Sequence, residues 1–252
     1  MRYKLVVFDM DGTVLDTLGD LLSAANHTLE EMGFKGDLDY EDAKLMFGSG
    51  VTVALSRAFA IKKGIASGYD LLKIGTEEDD ISQYLDKEEI GRAERIYKPY
   101  YSTHNDILTG EYPGISELIK RLRNLGMKTA VVSNKPDDSV KALSDKLFKG
   151  LFDICIGEKA GTKRKPAPDM TLIALNELKI SASEAVYIGD SEIDLETAAN
   201  AGLDCIAVSW GFRSREFLKS HGAAEIADSS EELYGLLTRG VNGDGFNAVK
   251  LV

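Results

Sequence analysis

Five short apolar runs punctuate the chain, and each stops at polar or glycine-containing sequence. Leu5–Phe8 runs into Asp9-Met10-Asp11-Gly12-Thr13, Thr129–Val132 into Ser133-Asn134, Ile154–Ile156 into Gly157-Glu158, Ala185–Ile188 into Gly189-Asp190, and Cys205–Val208 into Ser209. Runs of this length, rich in β-branched residues and without alternation, predict strands buried on both faces. Between them the apolar residues recur at helical spacing over Ile115–Leu122, Ser139–Leu147, Pro168–Leu178 and Leu195–Ala201. Gly126 and Gly202 supply stop signals, and Pro168 suits a first helical position. Strands alternating with helices predict an α/β fold, a Rossmann-like parallel sheet with right-handed crossovers. Ligands of such sheets bind beyond the carboxyl ends of the strands, where the polar residues just named fall.

The alternation breaks between Thr17 and Asn105. Leu18–Met32, Asp39–Phe47, Val51–Lys62 and Lys87–Tyr101 all carry helical patterns, with no β run between them. The expected organisation is a core of residues 1–16 and 106–252 with an all-helical cap, 17–105, inserted in the first crossover. The stretch from Ile65 to Asp86 is rich in glycine and acids, and the tail from Gly240 to Val252 is glycine-rich and then mildly apolar.

Composition adds limits. The chain has 252 residues and a formal net charge of -11. An acidic balance speaks against broad nucleic-acid binding. It also means that an anionic substrate needs local positive charge, which a metal ion and one or two placed lysines would supply. No segment reads as a signal peptide or a membrane span, so a cytoplasmic location and no membrane partner are expected. Cys155 and Cys205 sit in apolar runs and read as small hydrophobes rather than a disulfide.

Asp9 and Asp11 end the first run two positions apart, so in extended chain both carboxylates face one side. Such a pair suits a division of labour, one carboxylate attacking phosphorus and the other donating a proton and then activating water. Gly12 lets the backbone turn close to a phosphate. Asp190 and Asp194, four apart, can bind magnesium with Asp9 and a backbone carbonyl near Asp11. Ser133 and Asn134 can hold phosphate oxygens, and Lys165 can neutralise the nucleophile and the phosphoryl group. Each feature alone also has a plainer reading: an acidic turn, a helix cap, a solvated basic loop. Their appearance in order on the strand ends of one sheet supplies nucleophile, acid/base, phosphate clamp, cation and metal site together.

On these residues the chain resembles the haloacid-dehalogenase-like superfamily, in its phosphatase branch. The four motifs read Asp9-Met10-Asp11-Gly12-Thr13, Ser133-Asn134, Lys165-Pro166 and Gly189-Asp190-Ser191-Glu192-Ile193-Asp194. Gly12-Thr13-Val14-Leu15-Asp16-Thr17, Tyr112-Pro113-Gly114 and Ser209-Trp210-Gly211-Phe212 make phosphoglycolate phosphatases and their relatives the most similar branch. The resemblance implies a phosphorylated Asp9, acid/base work by Asp11 and a phosphoryl clamp of Ser133 and Lys165. It implies magnesium on Asp9, the Asp11 backbone and Asp190, with Asp194 nearby. Substrate contacts are expected from Gly12, Thr13 and Asn134, and from the cap stretch Gly48, Ser49 and Gly50, which reads equally as a helix-to-helix turn. The expected partner is a small phosphorylated metabolite. A sugar phosphomutase and a phosphonate hydrolase stand as alternatives, the second needing a Schiff-base lysine such as Lys44, Lys62 or Lys63. Arg57, Lys62 and Lys63 read as a solvated helix face, Arg213 and Arg215 as a charged loop, His27, His104 and His221 as surface or core residues, and Trp210 as a packing residue.

Overall fold

The computed structural model describes residues 2–63, 81 and 86–239. The tail from Gly240 and nearly all of the glycine- and acid-rich stretch lie outside the described residues. In chain order, β1 (Leu5–Phe8) and the two-residue β2 (Leu15–Asp16) precede, among the described residues, the helices α1 (Leu18–Glu31), α2 (Tyr40–Met46), α3 (Val51–Lys62) and α4 (Lys87–His104). The chain returns through β3 (Gly110–Glu111) to α5 (Ile115–Asn124), β4 (Lys128–Pro136), α6 (Asp137–Phe148), β5 (Ile154–Glu158) and α7 (Asp169–Leu178). It ends with β6 (Ala185–Gly189), α8 (Glu192–Ala201), β7 (Asp204–Val208), α9 (Arg215–Ser220), β8 (Glu225–Ala227) and α10 (Ser230–Leu237).

Six of the strands form one sheet in the order β5-β4-β1-β6-β7-β8, every pairing parallel. Strand β1 shows why its run is apolar throughout. Val6 and Phe8 face a core shared with Leu118, Val140 and Leu233 of α5, α6 and α10, while Leu5 and Val7 face Met170 and Ala198 of α7 and α8. Both faces are covered, so alternation has no place. The strand order reverses at β1: β4 lies on one side and β6 on the other. Register pairs Phe8 with Val131 and with Ile188, so Asp9, Ser133 and Asp190 emerge together at the carboxyl edge. That edge is the switch point at which sheets of this kind bind ligands.

Helices α1 to α4 pack on one another around Leu22, Leu29, Met46, Leu55, Phe59, Ile90 and Tyr97. Asp39 caps α2 by accepting from the Glu41 and Asp42 amides, and Asp86 caps α4 by accepting from Glu88 and Glu89. The antiparallel pair of β2 with β3 stands where the chain leaves and re-enters the sheet layer. Asp20, 1% exposed, ties α1 to the return segment by accepting from the Ile107, Leu108 and Thr109 amides and the Thr109 hydroxyl. Pro168 stands at the N-cap of α7 rather than inside it. The two cysteines are free, half-buried and on β5 and β7, with three strands between them, so no disulfide can join them. Among the described residues no helix is long and apolar enough to cross a membrane.

Candidate active site

A cavity of about 900 Å³ lies between the carboxyl edge of the sheet and the helical layer, and its wall includes Asp9, Asp11, Ser133, Lys165 and Asp190. Asp9 follows β1 directly and is 7% exposed. The Lys165 ammonium bridges it to Asp194, with Nζ 2.6 Å from Asp9 Oδ1 and 2.8 Å from Asp194 Oδ1. Of the basic run Lys163-Arg164-Lys165, the first two are exposed and only Lys165 is buried. Asp194 is fixed on its other oxygen by the Asp190 and Ser191 amides and the Ser191 hydroxyl. Asp190 accepts from the Thr13 hydroxyl at 3.1 Å and from the Phe212 amide at 2.7 Å.

One carboxylate oxygen from each of Asp9, Asp190 and Asp194 falls within 4.8 Å of the others, all three residues being buried. Burial holds the Asp9 carboxyl well above the usual carboxylate range, and the charges of Asp194 and Asp190 add to this against the pull of Lys165. Burial, then Asp194, pushes Asp190 up to about 7. Burial works against the Lys165 ammonium, but Asp194 and Asp9 prevail and hold its pKa well above the lysine value. Were all three acids ionised beside the one ammonium, the site would hold net negative charge in a dry place. An all-oxygen donor set of this size fits a hard divalent cation, which would relieve that repulsion. The Asp11 carboxylate stands apart from this group.

Asp11 instead meets Lys135, whose Nζ lies 3.0 Å from Oδ1 and 3.3 Å from Oδ2 and also donates to the Tyr101 hydroxyl at 2.6 Å. Lys135 is 6% exposed. Sequence reasoning missed it, although a signal was present: β4 continues to Pro136, and Lys135 follows Ser133 at the two-residue period of a strand. With Lys98, Lys159, Arg164 and Lys165 it gives the cavity wall the local positive charge that the net charge of the chain does not supply.

Several expected substrate contacts turn out to hold other site residues. Thr13 is fully buried and donates to Asp190, and Gly12 turns at φ 86 against Asp190, where a Cβ would overlap the carboxylate. Asn134 reaches the cavity wall, but its amide accepts from Lys165 N at 2.7 Å and donates to Lys165 O at 3.1 Å. Gly48 and Gly50 line the cavity, whereas Ser49 donates to Glu192 at 2.9 Å.

Two arginines depart from the surface roles expected of them. Arg213 and Glu192 are 4% and 3% exposed and pair at 2.9 Å. The Arg213 guanidinium also donates to the carbonyls of Lys44 and Phe47 and to the Ser49 hydroxyl. It thus clamps the loop between α2 and α3 onto the sheet layer, a pairing that residues so far apart in sequence do not advertise. Arg57, 2% exposed, donates to Met46 O and Ser49 Oγ from the other side of that loop. Lys44, Lys62 and Lys63 pair with Glu41, Asp37 and Glu89 and do not line the cavity. Trp210 packs as expected, its indole donating to Thr13 O at 3.0 Å.

Comparison with known proteins gives the family. The sequence profile of the haloacid dehalogenase-like hydrolase family matches residues 6–208, and the chain belongs to that family. It is similar to the phosphoglycolate phosphatase of Pseudomonas savastanoi pv. phaseolicola, 29% identical over 91% of this chain and 78% of that one. It is likewise similar to that of Vibrio parahaemolyticus, 28% identical over 91% and 94%. A crystal structure from Lactobacillus delbrueckii subsp. bulgaricus, with a provisional phosphoglycolate phosphatase designation, superimposes with a TM-score of 0.88 at 48% identity, covering 94% of this chain and 99% of that one. The chain is therefore a hydrolase of the phosphoglycolate-phosphatase-like branch.

Proposed function

We propose that the chain is a magnesium-dependent phosphatase that hydrolyses a small phosphomonoester through a phosphorylated Asp9, with a phosphoglycolate-like ester as substrate. The observation that carries this reading is the pairing of Asp9 with Lys165 at 2.6 Å in the same cavity as Asp11 and Ser133. In this reading residues 1–16 and 106–252 are the catalytic core and 17–105 the cap.

A carboxylate of Asp9 attacks phosphorus, and the bond from phosphorus to the ester oxygen breaks. Asp11, in its protonated form for this step, gives its proton to that oxygen, and the alcohol leaves. Asp11 then takes a proton from water as the water attacks phosphorus, which frees Asp9 and inorganic phosphate. The Ser133 hydroxyl and the Lys165 ammonium hold the phosphoryl oxygens through both transfers. Asn134 keeps Lys165 in place through its backbone, and Thr13 and Phe212 keep Asp190 in place. Magnesium would be held by Asp9, Asp190 and the Asp11 carbonyl, with Asp194 in support, and when bound it supplies charge that neutralises the acids and the phosphoryl group.

The names of the relatives support a phosphoglycolate-like substrate and hydrolysis rather than a mutase reaction. Cleavage of a phosphonate through a Schiff base is disfavoured by the positions of Lys44, Lys62 and Lys63. The test is phosphate release from a panel of small phosphoesters, with magnesium and with chelator. Release should need magnesium and fall about a thousandfold or more in Asp9→Ala. Release that persists in Asp9→Ala contradicts the reading.

A further inference from the structure

Helix α4 carries Tyr97 and Tyr101 one turn apart, both on the cavity wall, with ring centroids 5.6 Å apart and an interplanar angle of 22°. Tyr97 is 3% exposed, and its hydroxyl has no hydrogen-bond partner among the described residues. The Tyr101 oxygen accepts from Lys135 Nζ at 2.6 Å and keeps its own proton to donate. Lys135 reaches both Tyr101 and Asp11, and an ammonium has three protons to give. Burial and the nearby Asp11 charge hold both phenols well above the usual tyrosine value, Tyr97 feeling Tyr101 as well, so each remains a donor.

This makes a cluster with an excess of donors. Two tyrosines and a buried ammonium line the cavity wall, and the one carboxylate bonded to the ammonium is Asp11. A buried hydroxyl without a partner destabilises a fold. A partner that arrives with the substrate would satisfy it, and Tyr97 is a lining residue of the catalytic cavity. The cluster also has an address. Asp11 is the group that meets the leaving oxygen, and Lys135 Nζ lies 3.0 Å from its carboxylate, so a group held by Lys135 lies beside that oxygen. The volume of the cavity places no comparable limit on the leaving group.

Building on the phosphatase reading, we propose that Tyr97, Tyr101 and Lys135 determine substrate specificity by binding a carboxylate carried one or two carbons from the leaving oxygen. The two tyrosines select the alcohol half of the ester, while the Asp9, Ser133 and Lys165 side handles the phosphoryl half.

The experiment compares 2-phosphoglycolate with ethyl phosphate, which has a methyl group in place of the carboxylate. Wild type, Tyr97→Phe and Tyr101→Phe are assayed for kcat/KM on both esters, and glycolate binding is followed by calorimetry without turnover. Wild type should prefer the carboxylate ester, and each variant should lower that preference about tenfold, mainly through KM, with a matching loss of glycolate affinity. The unfolding temperature of Tyr97→Phe should equal or exceed that of wild type, because the hydroxyl removed has no partner within the protein. A purely structural role would lower both rates together and leave the preference unchanged, which would overturn the proposal. So would a wild type that hydrolyses both esters equally, although the phosphatase reading would stand. If neither ester released phosphate, that reading would fall and calorimetry would decide: glycolate binding weakened in Tyr97→Phe supports the carboxylate site, and absent or unaltered binding overturns it.

Discussion

Asp190 gives the acid cluster a measurable signature in stability. Its carboxyl is raised to about 7 by burial and by Asp194, against about 3.9 in an unfolded chain. Between those values the folded protein holds a proton that the unfolded chain has lost. Linkage then makes stability fall with rising pH: the contribution is complete below about pH 4 and is lost as the pH passes through about 7. A difference of about 3 units at about 1.4 kcal/mol each sets a ceiling of about 4 kcal/mol on the effect, so a few kcal/mol is the expected order. The assay is urea unfolding in chelator at intervals from pH 4.5 to 7.5, for wild type and Asp190→Asn. The amide cannot ionise, so the stability of wild type relative to the variant should fall across this window. Magnesium should reverse the trend in wild type, because a divalent cation favours the ionised form and its stabilisation grows as the carboxyl loses its proton. Parallel pH profiles for the two proteins would refute the reasoning, as would magnesium stabilisation that does not increase with pH.

Two further outcomes follow from the buried polar contacts. Arg213→Met should destabilise the protein by about 3 to 5 kcal/mol in urea unfolding, since it leaves the buried Glu192 carboxylate without its cation, and the double variant with Glu192→Gln should recover much of the loss. Asp20→Ala should cost about 3 kcal/mol by the same measurement, because three backbone amides of the return segment lose their acceptor, and Asp20→Asn should cost less.

The strands nearest the site were legible because the physics that buries them leaves a plain mark. A strand covered on both faces must be apolar at every position, as Leu5–Phe8 is. Strand β8 escaped the same test because Glu225–Ala227 is three residues long, too short to establish a pattern. Helix α10 was overlooked although Ser229 accepts from the Glu232 amide and Leu233, Leu236 and Leu237 turn inward. At the site, residues on strand ends were readable from where their runs stop, as Asp9 and Asp190 show. The partner of a residue was not: Glu192 and Arg213 meet only because α8 and the segment after β7 converge beneath the loop between α2 and α3. Thr13 shows a contact the motif does not reveal: the turn at Gly12 directs its hydroxyl to Asp190.

The central claim is that Asp9 itself carries the phosphoryl group. Acid quenching during turnover of the preferred ester with magnesium, followed by borohydride reduction and peptide mass spectrometry, tests it directly. An acyl phosphate at Asp9 would be reduced to homoserine, lowering the mass of the peptide by about 14 Da at position 9 and leaving Asp11 unchanged. Reduction at position 11, or no reduction at either aspartate while phosphate is being released, would contradict the account.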